Sequence, residues 1–217
     1  MAKFSAFRFR LGGALVVAAA AVALAAPAAN ADGGLLGGLG NVVGAATGLG
    51  CSTGPSSRVF APWGDALSYE LAPNGGFESG TAKWTLSGPT RLVSENESFS
   101  VGGQADSRSL ELFQGASATS SPICSGVNSA FVRLFVSNNG SPSACLRVQI
   151  QAKALTSLLS LLEGGCYTAG PDWAPTPIVL ALQLPLSANA VQLKLSAVGA
   201  GADFQVDDVY VDPLMVR

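Results

Sequence analysis

Beyond position 51, apolar and polar residues alternate with a period of two along most of the chain. Leu146, Val148 and Ile150 alternate with Arg147, Gln149 and Gln151. Val191, Leu193 and Leu195 alternate with Gln192, Lys194 and Ser196. Successive side chains of a strand point to opposite faces, so each run predicts a strand with one face on a core and one in water. Residues 84–86, 110–113, 131–136, 178–184 and 204–211 are further strand candidates. Turn-forming clusters separate them: Asn138-Asn139-Gly140-Ser141-Pro142, Gly164-Gly165, Gly170-Pro171 and Gly199-Ala200-Gly201. About eight short strands at this spacing predict an all-β antiparallel sandwich.

One stretch has a competing period. Leu155, Leu158, Leu159 and Leu162 fit helical spacing, whereas the neighbouring run at 146–152 invites a hairpin partner. The hairpin is the favoured reading. It also orders the cysteines. The four allow three pairings, and Cys145 and Cys166 lie symmetrically about Leu155 and Thr156. A turn at that point favours Cys145–Cys166, with Cys51–Cys124 as the second bridge.

The N-terminus reads differently. Lys3, Arg8 and Arg10 precede an unbroken apolar run, Leu11 to Ala26, and small residues close it at Ala29-Asn30-Ala31. This pattern predicts a secretory signal peptide over 1–31, and a run this short falls below the roughly twenty residues of a bilayer span. Residues 32–50 are a Gly-rich, low-complexity linker, and the domain is expected over 51–217. Loss of residues 1–31 leaves nine basic against fourteen acidic residues, a charge of −5, with no second long apolar run. The expected mature protein is extracellular, with no membrane span and no basic surface for nucleic acid.

Composition removes several chemistries. The chain has no His, which excludes Ser-His-Asp and Cys-His catalysis and His-ligated zinc. Gly50-Cys51-Ser52-Thr53-Gly54 matches G-x-S-x-G, but it follows a linker rather than a strand and has no His base. No phosphate-binding glycine motif occurs.

The carboxylates carry more information. Asp207 and Asp208 are adjacent in an otherwise apolar strand, so alternation turns one of them inward unless the strand bulges. A buried carboxylate needs donors or a cation, and oxygen ligands without His suit Ca²⁺. Asn74-Gly75-Gly76-Phe77-Glu78 followed by Trp84, with Phe204 to Val211 at the other end, resembles the opening and closing signatures of galactose-binding-like jelly rolls. Carbohydrate-binding modules of families 4, 9 and 22 are the most similar group. The pattern, with Phe60 to Asp65 and Tyr69, is also similar to secreted actinobacterial proteins of unassigned role. The resemblance implies a jelly-roll sandwich with a structural calcium held by Glu78, by Asp207 or Asp208, and by backbone carbonyls of Gly76 and of a residue near Ser107. It further implies a non-catalytic module for a carbohydrate or cell-envelope glycan.

Candidate ligand contacts are few. Arg133, Arg147, Gln149 and Gln151 fall on outward strand positions, and Trp63 and Tyr167 are the rings placed to reach a sugar. Two other functions fit the same residues. One is an extracellular structural or protein-interaction domain without a sugar ligand. The other is a glycosidase using Glu78 and Asp207, which requires two carboxyls astride a cleft.

Overall fold

The computed structural model describes residues 54–124, 129–154, 157–182 and 190–212. The expected signal peptide (1–31), linker (32–50), Cys51 and the hairpin centre at 155–156 lie outside them. Fourteen strand segments are present: β1 (Ser56–Ser57), β2 (Tyr69–Leu71), β3 (Trp84–Ser87), β4 (Thr90–Val93), β5 (Ser109–Phe113), β6 (Ser117–Ser120), β7 (Ile123–Cys124), β8 (Ser129–Asn138), β9 (Cys145–Ala154), β10 (Ser157–Tyr167), β11 (Ala174–Pro175), β12 (Val179–Leu182), β13 (Ala190–Val198) and β14 (Asp203–Asp212). The described residues include one 3-10 turn, Ala61–Trp63, and no α-helix. No helix among them is long and apolar enough to cross a membrane.

The strands form two antiparallel sheets. The first runs β10-β9-β13-β6-β3, with β7 also on β13. In the second, β14 pairs with β5 and β2 on one side and β8 on the other. There β4 extends β5, β1 extends β2, and β11 and β12 extend β8. The jelly-roll sandwich is therefore present, with more segments than the alternation suggests because short edge pieces such as β1, β7 and β11 are too brief to show a period.

The alternating residues meet between the sheets. Leu110 and Leu112 of β5, Leu134 and Val136 of β8, and Phe204 and Val206 of β14 pack against Leu146, Val148 and Ile150 of β9 and Leu193 and Leu195 of β13. The register sets Leu193 opposite Ile150 and Leu195 opposite Val148, so apolar residues share one face. A second cluster, Phe60, Tyr69, Phe135 and Tyr210, lies on the other face of the β14 sheet. The segment around the 3-10 turn covers it, together with Val101 from the β4–β5 loop. One sheet thus has both faces packed.

The hairpin reading holds, and Cys145 and Cys166 are bonded, with Cα atoms 5.4 Å apart. The geometry differs from simple symmetry. Ser157 opposes Ala154, but bulges after Leu159 and Glu163 shift the ladder until Cys166 opposes Arg147. The bridge is therefore diagonal. Cys124 is also disulfide-bonded, and the partner expected for it, Cys51, lies outside the described residues. The Cys145–Cys166 bridge spans 21 positions, a loop worth about 3 kcal/mol in the chain-entropy account. The variant C145S/C166S is expected to melt about 6–12 °C lower in calorimetry.

Candidate functional site

The two ends of the domain meet at one place. The ladder of β14 slips between Asp207 and Tyr210, and Asp208 takes a left-handed φ of 46°. Aspartate tolerates that region better than most residues. The bulge inserts Asp208 after Asp207, which lies opposite Phe135 on the face away from the main core, and both residues are fully buried. It also frees the Val209 backbone to dock on the opening motif: Ala72 N donates to Val209 O at 2.8 Å, and Val209 N donates to Gly75 O at 3.2 Å. A Cβ at Gly75 would stand 2.6 Å from Val209 O, so only glycine fits.

Each residue of the opening motif has a structural task. The Asn74 amide donates to Gly80 O and Ala82 O, while its Oδ1 accepts from Ser79 N. Phe77 enters the core beside Trp84, whose indole donates to Pro73 O and Asn74 O. Glu78 accepts from the Ser107 amide and hydroxyl at 2.7 and 3.1 Å. Its slight burial works the other way, but these donors hold its carboxyl below the usual range.

Asp207 has both carboxylate oxygens engaged by backbone donors. Its Oδ2 accepts from Glu97 N and its Oδ1 from Asp208 N. Glu97 in turn accepts from Phe99 N and Val101 N. Asp207 is thus a clasp that fixes the β4–β5 loop. A carboxylate so enclosed cannot stand astride a glycosidic bond, which removes the Glu78–Asp207 glycosidase geometry.

Asp208 and Asp106 are among the described residues whose buried oxygens lack a well-formed hydrogen bond, and here all four carboxylate oxygens do. Asp106 also faces the carboxyl of Glu78. The Asp106 and Asp208 carboxylates converge between two glycines. A Cβ at Gly76 would lie 3.1 Å from Asp208 Oδ1 and 3.4 Å from Asp106 Oδ1; one at Gly102 would lie 2.1 Å from Asp106 Oδ2. Burial, then the adjoining Glu78 carboxyl and the charges of Asp208 and Glu97, push the Asp106 carboxyl up to about 8. Burial and the charge of Asp208 push Asp207 up to about 9. Burial and the charge of Glu97 push Asp208 up to about 6. The donor set is hard oxygen, which fits Ca²⁺. No three Asp, Glu, Cys or His side chains among the described residues converge in ligand geometry. A cation between Asp106 and Asp208 would therefore complete its shell with backbone oxygens and water. The Gly76 backbone borders this pair of carboxylates, and near Ser107 the structure adds the carboxylate of Asp106, a residue the sequence reading did not single out.

The ligand candidates divide between the sheets. Arg133 is buried, not outward: its guanidinium bonds Asp65 at 3.0 Å and Thr176 O at 2.9 Å and lies 4.5 Å above the Phe60 ring. The outer face it was assigned to is the one under the second cluster. Trp63 is half-buried there, edge-on to Phe99 at 4.9 Å and Phe135 at 5.3 Å. Tyr167 opposes Leu146 on the core side of its sheet, so it is not on the outer face with Arg147.

Arg147, Gln149 and Gln151 do share the outer face of the β9 sheet. Thr85 opposes Thr119, Thr119 opposes Lys194, and Lys194 opposes Gln149. Ser87, Ser117, Ser196 and Arg147 form the next row. The result is a polar band across β3, β6, β13 and β9. The Gln192 amide donates to Ser120 O at 2.9 Å, which fixes one of its members.

No family model and no curated protein matches the sequence. Solved structures do resemble the fold. Part of the bacteriophage CBA120 tailspike protein 4 enzymatically active domain aligns with a TM-score of 0.53 at 12% identity, over 66% of this chain and 21% of that one. A family 16 carbohydrate-binding module aligns at 0.49 and 16%, over 65% of this chain and 99% of the module. TmCBM61, solved with β-1,4-galactotriose, aligns at 0.45 and 14%, over 66% and 98%. The chain shares its β-sandwich fold with part of that tailspike domain. Identities this low speak to the fold alone.

Proposed function

We propose that the chain is a secreted, non-catalytic glycan-binding module, braced by a structural calcium between Asp106 and Asp208. The observation that carries the reading is the polar band on the outer face of the β9 sheet. Aligned Gln, Arg, Lys, Ser and Thr side chains offer the donors and acceptors that orient a hydroxyl-rich ligand. Arg147 is the central contact, with the largely buried Gln149 beside it. The other sheet has aromatic packing on its outer face, and its polar row there, Arg91, Glu111, Gln205 and Ser137, is bonded internally. Similar jelly rolls include modules solved as carbohydrate-binding domains, which agrees with this use of the fold.

Bound calcium would neutralise the two carboxylates and hold the β4–β5 loop against β14. Asp106 and Asp208 supply the charge, and Gly76 and Gly102 leave the space. Gly102→Ala tests that space. A Cβ 2.1 Å from Asp106 Oδ2 must displace the carboxylate, and calcium affinity in calorimetry is expected to fall at least about tenfold. Unchanged affinity would move the cation elsewhere.

The function is tested by screening the purified chain, disulfides intact, against a glycan panel in calcium and in EDTA. Reproducible binding to one glycan class, lost in Arg147→Ala, is expected. Folded protein that binds no glycan in either buffer would overturn the reading in favour of a structural or protein-interaction domain.

A further inference from the structure

The charges of the sandwich are segregated. The strands of the β14 sheet carry Glu70, Glu111, Asp203, Asp207, Asp208 and Asp212 against Arg91 and Arg133. Both of those arginines are engaged, with Glu111 and with Asp65. The strands of the other sheet carry Arg147, Lys153 and Lys194 against Glu163 alone. Arg147 and Lys194 are half-buried. Neither has an ion-pair or hydrogen-bond partner among the described residues.

Their placement brings the two cations together. Arg147 opposes Ser196, and Lys194 opposes Gln149, so they are diagonal neighbours on one face, with Cα atoms about 7–8 Å apart. No aromatic residue stands at the outward positions of β3, β6, β9 or β13. A neutral sugar ring finds no stacking platform here. An anionic group finds a guanidinium, able to bond a carboxylate or phosphate through two parallel N–H donors, beside an ammonium. Amide and hydroxyl side chains flank them.

We infer that the outer face of the β9 sheet binds an anionic glycan, one bearing carboxylate or phosphate groups, through Arg147 and Lys194. The inference rests on the glycan-binding reading and names its ligand class.

The test uses the purified chain in calcium with four probes: a galacturonate oligomer, its methyl ester, poly(glycerol phosphate) and a neutral β-1,4-galactan oligomer. The galacturonate oligomer is expected to bind at least about tenfold tighter than its uncharged ester. Raising salt from 50 to 300 mM should weaken it severalfold, because exposed charges are screened within about a Debye length. Arg147→Gln and Lys194→Gln should each cost about five- to tenfold, as expected for a lost charge-assisted hydrogen bond. Poly(glycerol phosphate) binding in place of galacturonate binding would assign the anion as phosphate and support the same inference. Equal binding of the ester, or binding of the galactan alone, would overturn the anionic assignment and leave glycan binding intact. Loss of neither charge affecting the anionic probes would overturn the location. Binding of none of the probes, or of any glycan in the wider panel, would overturn the function with it.

Discussion

Arg133→Met is expected to cost about 3–5 kcal/mol of stability, the usual result of removing one partner of a buried ion pair. Arg133 and Asp65 are 8% and 5% exposed at their side chains and 3.0 Å apart. Burial pulls Asp65 upward, but the Leu67 amide, the Tyr69 hydroxyl and the guanidinium outweigh it and keep the carboxyl below its ordinary value. Without Arg133 that charge stays buried, and the Phe60 ring loses the cation above it. The melting temperature should fall by about 6–20 °C. The loss belongs to the stranded charge, not to an intrinsically strong pair. The triple variant R133M/D65L/Y69F removes both charges and the hydroxyl together, leaving only the Thr176 carbonyl and the Leu67 amide without their partners, and should recover much of it. Tyr69 is included because its hydroxyl donates to Asp65 at 2.8 Å. A triple variant as unstable as the single would show that the pair itself holds the second cluster. Because the Asp65 value is lowered, its contribution is present above the unfolded value near 3.9 and is lost as pH falls below it.

Calcium is expected to reverse the pH dependence of stability. Asp106, Asp207 and Asp208 are raised to about 8, 9 and 6 in the fold, whereas unfolded carboxyls titrate near 3.9. A raised carboxyl retains its proton in the folded state after the unfolded chain has lost it. It therefore favours the fold below the unfolded value, and that gain disappears as pH rises through the folded one. In EDTA the protein should be most stable near pH 5 and lose stability steadily towards pH 9. Calcium competes with the protons, so its effect should be small at pH 5 and grow with pH. At a hundredfold excess over its dissociation constant it adds about 2.7 kcal/mol, about 5–10 °C in melting temperature. Thermal melts at pH 5 and 8, with EDTA or calcium, check both signs. Equal melts in the two buffers at pH 8 would remove the calcium site.

What the sequence revealed, and what it hid, follows from the range of the interactions. The runs at 146–151 and 191–196 alternate because each strand has one wet face, and they became β9 and β13 with the expected residues inward. The 145–166 pairing was legible because a hairpin is local, although two bulges changed its register. The opening and closing motifs were legible because turn and bulge constrain particular residues: Gly75 against Val209 O, Asn74 across its own turn. Arg133 and Arg147 were not distinguishable. Both alternate with aliphatic neighbours, and only residues 60–69, some seventy positions before Arg133, decide that one is covered. Asp106 was hidden for a related reason. It stands in an aperiodic polar loop, and it reaches Asp208 only because Glu97 and Asp207 fold that loop back. Its one sequence signal is Gly102-Gly103 upstream, glycines where a carboxylate comes close. Choosing Asp208 over Asp207 required the bulge, since a single residue of register separates the proposed ligand from the clasp.

The account depends most on the outer face of the β9 sheet being the binding surface. Amide chemical-shift mapping during titration with the best ligand of the glycan panel addresses that directly. The predicted result is a contiguous set of shifts on β13, β9 and β6, centred on Arg147, Gln149, Lys194 and Thr119. Shifts confined to Trp63, Phe99 and the β4–β5 loop, with that face unchanged, would contradict it.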